Sequence, residues 1–135
     1  MIEAALFTIL STNAGVGALV GGTGTAARVW PLILPQQPTL PAVSFTRIST
    51  TGRQPHHSGH VRVVEPRFQF SCFASTPLAA KQLAAAVIAA LTDFSGDVGD
   101  EQILSTEFAN EADDFDTGIG AFMVPVDFFI KHRTI

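Results

Sequence analysis

Three of the four histidines, His56, His57 and His60, crowd into five residues. Imidazoles at i and i+4 hold a metal when both lie on one helical face. Pro55 and Gly59 argue for a loop there instead, and no acid or cysteine follows until Glu65. With Arg53 and Arg62 alongside, the segment reads as a basic, flexible arm that orders on a partner. The alternative is a small metal-binding module or metal-dependent enzyme built on the same three histidines. A second candidate is the acidic run Asp113, Asp114, Phe115, Asp116. Carboxylates at alternate positions bind Ca²⁺ in an EF-hand loop, but neither register works here. Starting at Asp114 puts Gly118 one place early and Pro125 where the bidentate Glu belongs; starting at Asp113 puts Phe115 at a ligand position. The run therefore reads as a turn rich in backbone-bonding Asp.

Other chemistry is excluded by context. Gly21-Gly22-Thr23-Gly24-Thr25 follows a helical pattern, leads to a strand and has no Lys, whereas a phosphate loop follows a strand and opens a helix. Cys72, the single cysteine, stands in the apolar run Phe68 to Phe73 and reads as a small buried hydrophobe. One cysteine supports neither a disulfide framework nor a thiolate zinc cluster. No nucleophile-elbow pattern exists, and the one histidine outside the loop, His132, lies between Lys131 and Arg133. The expectation is no catalytic residue, no cofactor and no metal.

The elements that must carry these residues follow from periodicity. Ile2, Leu6, Ile9 and Leu10 make one helical stripe near the N-terminus, and a short helical turn is expected over 16–20. Arg28-Val29-Trp30 reads as a short strand stopped by Pro31. Pro31, Pro35, Pro38 and Pro41 keep the next stretch extended and irregular. Strands are expected over 43–50 and 67–73, the latter with Phe68, Phe70 and Cys72 on one face. Ser75 or Thr76 caps a long helix running from Pro77 to about Phe94, with Ala80, Leu83, Ala84, Val87, Ile88 and Leu91 forming a broad apolar face. A strand over 103–109 places Leu104 and Phe108 together. The strand over 121–131 alternates most cleanly, with Phe122, Val124, Val126, Phe128 and Ile130 on one face; Pro125 predicts that it is an edge strand or bulged. The order predicts one α+β domain over residues 1–135, an antiparallel sheet with one long helix packed on it, a short N-terminal helix and a flexible connection at about 51–60.

At 135 residues the chain is 47% hydrophobic and only 15% charged. That composition excludes intrinsic disorder and a coiled coil, and it leaves more apolar surface than one small subunit needs to bury. The longest unbroken apolar run, 83–91, is too short to span a bilayer, and Glu3 stands where a signal peptide carries positive charge, so a soluble cytoplasmic product is expected. The net charge of −4 is sorted along the chain. Residues 1–67 hold five Arg and two acids, whereas residues 93–127 hold ten acids and neither Lys nor Arg. Such a chain is a poor nucleic-acid binder. Its two patches of opposite sign suit contact between neighbouring subunits.

Read together, Val16 to Gly21, Val29-Trp30-Pro31, Leu40 to Phe45, Phe68 to Ala74, the helix around Leu83 to Leu91, the acidic turn and Val124 to Ile130 resemble the tail-completion family of long-tailed bacteriophages. These proteins are also described as tail terminators or head-to-tail joining proteins. The resemblance implies a non-enzymatic virion protein, assembled in the host cytoplasm. It implies a ring, usually of six copies, at the head-proximal end of the tail. Its partners would be itself, the tail tube protein and the head connector, with DNA only passing through the lumen and no membrane. A head-completion adaptor or minor tail component is the alternative within the same setting. Arg53, His56, His57, His60 and Arg62 on one side, and Asp113, Asp114 and Asp116 on the other, are the expected interface residues.

Overall fold

The computed structural model describes residues 1–50 and 63–134. Helix α1 (Ile2–Thr12) buries Ile2, Leu6, Ile9 and Leu10 as its stripe requires. Asn13 ends it and caps a one-turn helix α2 (Ala14–Gly17), its side chain accepting from the Val16 N–H at 3.0 Å. The glycine-rich stretch beyond is a backbone accommodation. Gly21, at φ +92°, lies where a Cβ would collide with the Arg28 guanidinium, whose Nε donates to the Pro41 carbonyl at 2.9 Å.

Seven strands follow: β1 (Val29–Pro31), β2 (Ala42–Thr50), β3 (Pro66–Ala74), β4 (Gly96–Val98), β5 (Glu101–Glu111), β6 (Asp114–Asp116) and β7 (Ala121–Thr134), with helix α3 (Pro77–Leu91) between β3 and β4. They form one sheet in the order β1-β2-β3-β7-β5-β4, and β6 pairs β7 beyond the end of β5. The fold is α+β with the long helix packed against the sheet, but the sheet is mixed: β1 runs parallel to β2, and every other pair is antiparallel. The prolines explain the departure. A segment fixed at Pro35, Pro38 and Pro41 does not reverse in a tight hairpin, so the chain arcs back and re-enters the sheet in its original direction.

α3 starts as its sequence demands. Thr76 caps it by accepting from the Ala79 N–H at 3.2 Å, and Pro77 fills the first helical position. It stops at Leu91 rather than near Phe94. Thr92 is extended and Asp93 has φ +56°. The freed backbone is taken up by Thr106, which reaches across from β5: its hydroxyl donates to the Leu91 carbonyl and accepts from the Phe94 N–H at 3.1 Å. The apolar face of α3 lies on β3 and β7. There Phe45, Phe68, Phe70 and Phe128 are fully buried, with Phe45 and Phe70 stacked at 5.8 Å and Phe128 edge-on to Phe70 at 6.3 Å.

Strand β7 is central, flanked by β3 on one side and by β5 and β6 on the other. Pro125 is tolerated there because its missing N–H points to the junction where β5 gives way to β6. Its carbonyl, directed to the same side, accepts from Ala112 at 3.1 Å. Strand β5 corrects the simple alternation expected of it. Bulges between Ile103 and Ser105 and between Phe108 and Asn110 shift its register against β7. As a result Ile103 and Thr106, three apart, both face inward, while Leu104 and Phe108 are 38% and 46% exposed. The stretch expected to be only a turn at 113–118 contains the three-residue strand β6, followed by a turn over 117–120.

Candidate functional site

The residues expected to form a basic arm, Arg53, His56, His57, His60 and Arg62, lie outside the described residues. The acidic half of the expected interface is in view. Asp113 Oδ2 pairs with Lys81 Nζ of α3 at 3.2 Å. Asp114 Oδ1 accepts from the Phe115 N–H at 2.7 Å, and Asp116 Oδ1 accepts from the Ile119 N–H at 3.0 Å. The antiparallel pairing of β6 with β7, Phe115 opposite Phe122, leaves Phe115 45% exposed between two carboxylates, its ring meeting Phe122 edge-on at 5.0 Å. Among the described residues, Asp93, Asp97, Glu107, Glu111, Asp114 and Asp116 make no ion pair.

At the β1 end of the strand order, α1 and β1 enclose an open apolar groove of about 660 Å³, lined by Ala4, Phe7, Trp30, Pro31 and Leu32 among others. Trp30 is 40% exposed, Leu32 69% and the adjoining Ile33 79%. Glu3 also lines the groove, and its carboxylate is held by Arg47 of β2 at 2.9 Å. Sequence reasoning missed this surface. Its only signal was three large apolar residues beside a proline, in a stretch too short to show a period.

Two buried carboxylates were also missed as sites. Glu101 is nearly inaccessible; its Oε1 lies 2.7 Å from His132 Nδ1 and its Oε2 accepts from the Thr134 hydroxyl at 3.0 Å. The terminal ammonium of Met1 is 3.3 Å away. Burial raises the Glu101 pKa, but the hydrogen bonds from His132 and Thr134 and the neighbouring positive charge outweigh it and hold the carboxyl below its ordinary value. Asp127, on the opposite face of β7, receives Arg67 Nη2 at 2.6 Å, Arg67 Nε at 2.9 Å and Gln69 Nε2 at 3.1 Å. Every lone pair of consequence is answered in both, so they are fastenings of the sheet rather than poised acids or bases. Cys72 is wholly buried. That desolvation, with the charge of Glu111 second, pushes its thiol far up and removes it as a nucleophile. Among the described residues, no group of three His, Cys, Asp or Glu side chains is placed to hold a metal, and no helix is long and apolar enough to cross a membrane.

The described surface thus offers two unlike edges for contact. A family model described as "Tail completion protein gp17" matches residues 4–132. The chain belongs to that family. As a tail completion protein it is a structural component of a phage-type virion. Its fold recurs in a solved structure of the virion of a native gene transfer agent particle. There the matching chain superposes with a TM-score of 0.73 at 20% identity, over 98% of this chain and 94% of that one. A search of curated proteins finds no match. At 20% identity the structural likeness speaks for the tail completion fold and not for any particular contact within the particle.

Proposed function

We propose that this tail completion protein is a non-enzymatic ring subunit. Copies of the chain, six in the arrangement expected from the family, close the finished tail tube at its head-proximal end and present it to the head connector. DNA passes through the lumen of that ring without being held. The single observation that supports this reading is the unlikeness of the two sheet edges. One carries Asp114 and Asp116, which make no ion pair among the described residues; the other carries an apolar groove whose Glu3 is paired with Arg47. A subunit whose two contact patches differ associates head to tail, and head-to-tail contacts close into rings when the rotation per step allows. The low charge fraction and exposed aromatics fit a subunit that its neighbours cover.

The test is electron microscopy of particles from the source of this chain, made with and without it. The expected result is a closed ring of this chain between tube and connector, and unjoined heads and tails when it is missing. Density for the chain at the distal tip or in the capsid wall would overturn the reading, as would normal joining in its absence.

A further inference from the structure

Strand β1 closes one side of the sheet, yet its outer edge cannot accept another strand in the ordinary way. Pro31 has no N–H, and its carbonyl is already taken by the Ile33 N–H at 3.0 Å. Whatever covers this side must therefore use side chains. The groove between α1 and β1 is shaped for that. It is lined by Ala4, Phe7, Trp30, Pro31 and Leu32, and by Glu3, whose carboxylate is paired with the Arg47 guanidinium at 2.9 Å. Arg47 spends one nitrogen on Glu3, and the fork of five N–H donors leaves others free for a second carboxylate. The fitting occupant is an aromatic or aliphatic side chain with acids beside it.

This chain presents such a group on the other side of its own sheet. Phe115 stands half-exposed between Asp114 and Asp116, and neither carboxylate makes an ion pair among the described residues. Phe122 backs the ring at 5.0 Å, and the Asp114 and Asp116 hydrogen bonds stiffen the backbone around it, so the group is held out in a fixed position. Aromatic and Arg anchors of this kind carry most of the energy of protein contacts, and prior rigidity lowers the cost of making them. Both halves of the complementary pair exist in every copy, so a second copy is the partner always present at matching concentration.

We propose that the acidic β6 segment of one subunit seats Phe115 in the α1–β1 groove of a second copy, with Asp114 or Asp116 reaching Arg47 of that copy. This rests on the self-assembly reading above and specifies which surfaces meet. Both anchor positions are exposed, so they tolerate substitution without disturbing the core, and the native Cys72 is buried and silent. Full-length Leu32→Cys and Phe115→Cys proteins would be purified separately, mixed and mildly oxidised. The mixed disulfide between the two is expected as the dominant product, and Phe115→Asp is expected to shift the wild-type oligomer to monomer in size-exclusion chromatography with light scattering. Each variant's thermal melt confirms that it is folded. Homodisulfides in equal yield, or no disulfide, from a chain that still forms oligomers would overturn this interface and leave the ring reading standing, with the groove open to a different protein. A wild-type chain that is monomeric at every concentration, and absent from any ring in particle maps, would overturn both.

Discussion

Phenylalanine and carboxylate side chains appear twice in this molecule under opposite treatment. Between β3, β7 and α3, Phe70 and Phe128 are fully buried, and along β7 the carboxylates of Asp127, on its other face, and of Glu101, on the neighbouring β5, each receive several hydrogen bonds or ion pairs. At β6, Phe115 is half-exposed and the flanking Asp114 and Asp116 make no ion pair among the described residues. Composition does not separate the two regions, since both combine aromatics with acids. What separates them is whether the complement lies in the same subunit. The middle of the sheet is finished within one chain, whereas its edges present groups whose complement stands elsewhere on the same molecule. In the interface proposed above, those edge groups are the ones that meet in a second copy.

The widest contrast is between the two phenylalanines. Phe70→Ala removes a ring packed on Phe45, Phe68 and Phe128 and should cost about 3–5 kcal/mol of unfolding free energy. Phe115→Ala should stay within about 0.5 kcal/mol, because nearly half of the residue is in water and its ring meets a single other ring, Phe122, among the described residues. Urea titrations of the two variants measure both. A loss at Phe115 approaching that at Phe70 would mean that β6 belongs to the monomer's core and is not a projecting group.

A smaller contrast concerns the carboxylates and depends on pH. Glu101→Gln keeps the shape of the side chain and removes its charge, and should cost about 1.5–3 kcal/mol at neutral pH, the range for hydrogen bonds to charged groups. The sign follows from the lowered pKa. A carboxyl held below its ordinary value of 4.5 stabilises the fold above that pH, and this contribution is lost as pH falls through the folded value. The gap between wild type and Glu101→Gln should therefore be constant above about pH 5.5 and close in acid. Asp114→Asn, at an exposed site with one local hydrogen bond, should cost under about 0.5 kcal/mol at neutral pH. Melts of all three proteins from pH 3 to 8 check it, and a pH-independent gap for Glu101→Gln would assign its effect to packing alone.

The legibility of these regions differs for a related physical reason. Helix α3 and strands β3 and β7 were readable because long elements repeat a period often enough to declare their faces. The stripe Ala80, Leu83, Ala84, Val87, Leu91 and the alternation Val124, Val126, Phe128, Ile130 both survive in the fold. The three-residue strands β4 and β6 contain too few residues to show alternation. The bulges at Leu104 and Ala109 arise from matching β5 to its partner β7, a constraint absent from β5's own sequence. The parallel start of the sheet was hidden because prolines report local stiffness and not the direction in which the chain returns. The acidic side of the candidate surface was visible as a charge run, whereas the groove was not, because it is made by α1 and β1 meeting across residues far apart in the chain.

The subtlest test sits at Leu32. Its N–H donates to the Phe45 carbonyl at 2.8 Å, which fixes the backbone at φ +73°, a region that disfavours side chains beyond Cβ. The residue is nevertheless a leucine, and 69% of it is exposed. For the isolated subunit glycine suits this position better. Relief of the left-handed conformation is worth about 1–2 kcal/mol, and the extra backbone freedom of glycine in the unfolded chain takes back about 0.5–1 kcal/mol. Leu32→Gly should therefore be neutral to slightly stabilising, by no more than about 1.5 kcal/mol, in monomer melts. The same substitution removes one wall of the groove, so it should weaken self-association in light scattering. A variant that gains stability while losing assembly would show that Leu32 is held in a strained, exposed position for the sake of the contact it makes. A variant that loses stability would place Leu32 among the residues that finish the subunit's own fold, on the other side of the comparison.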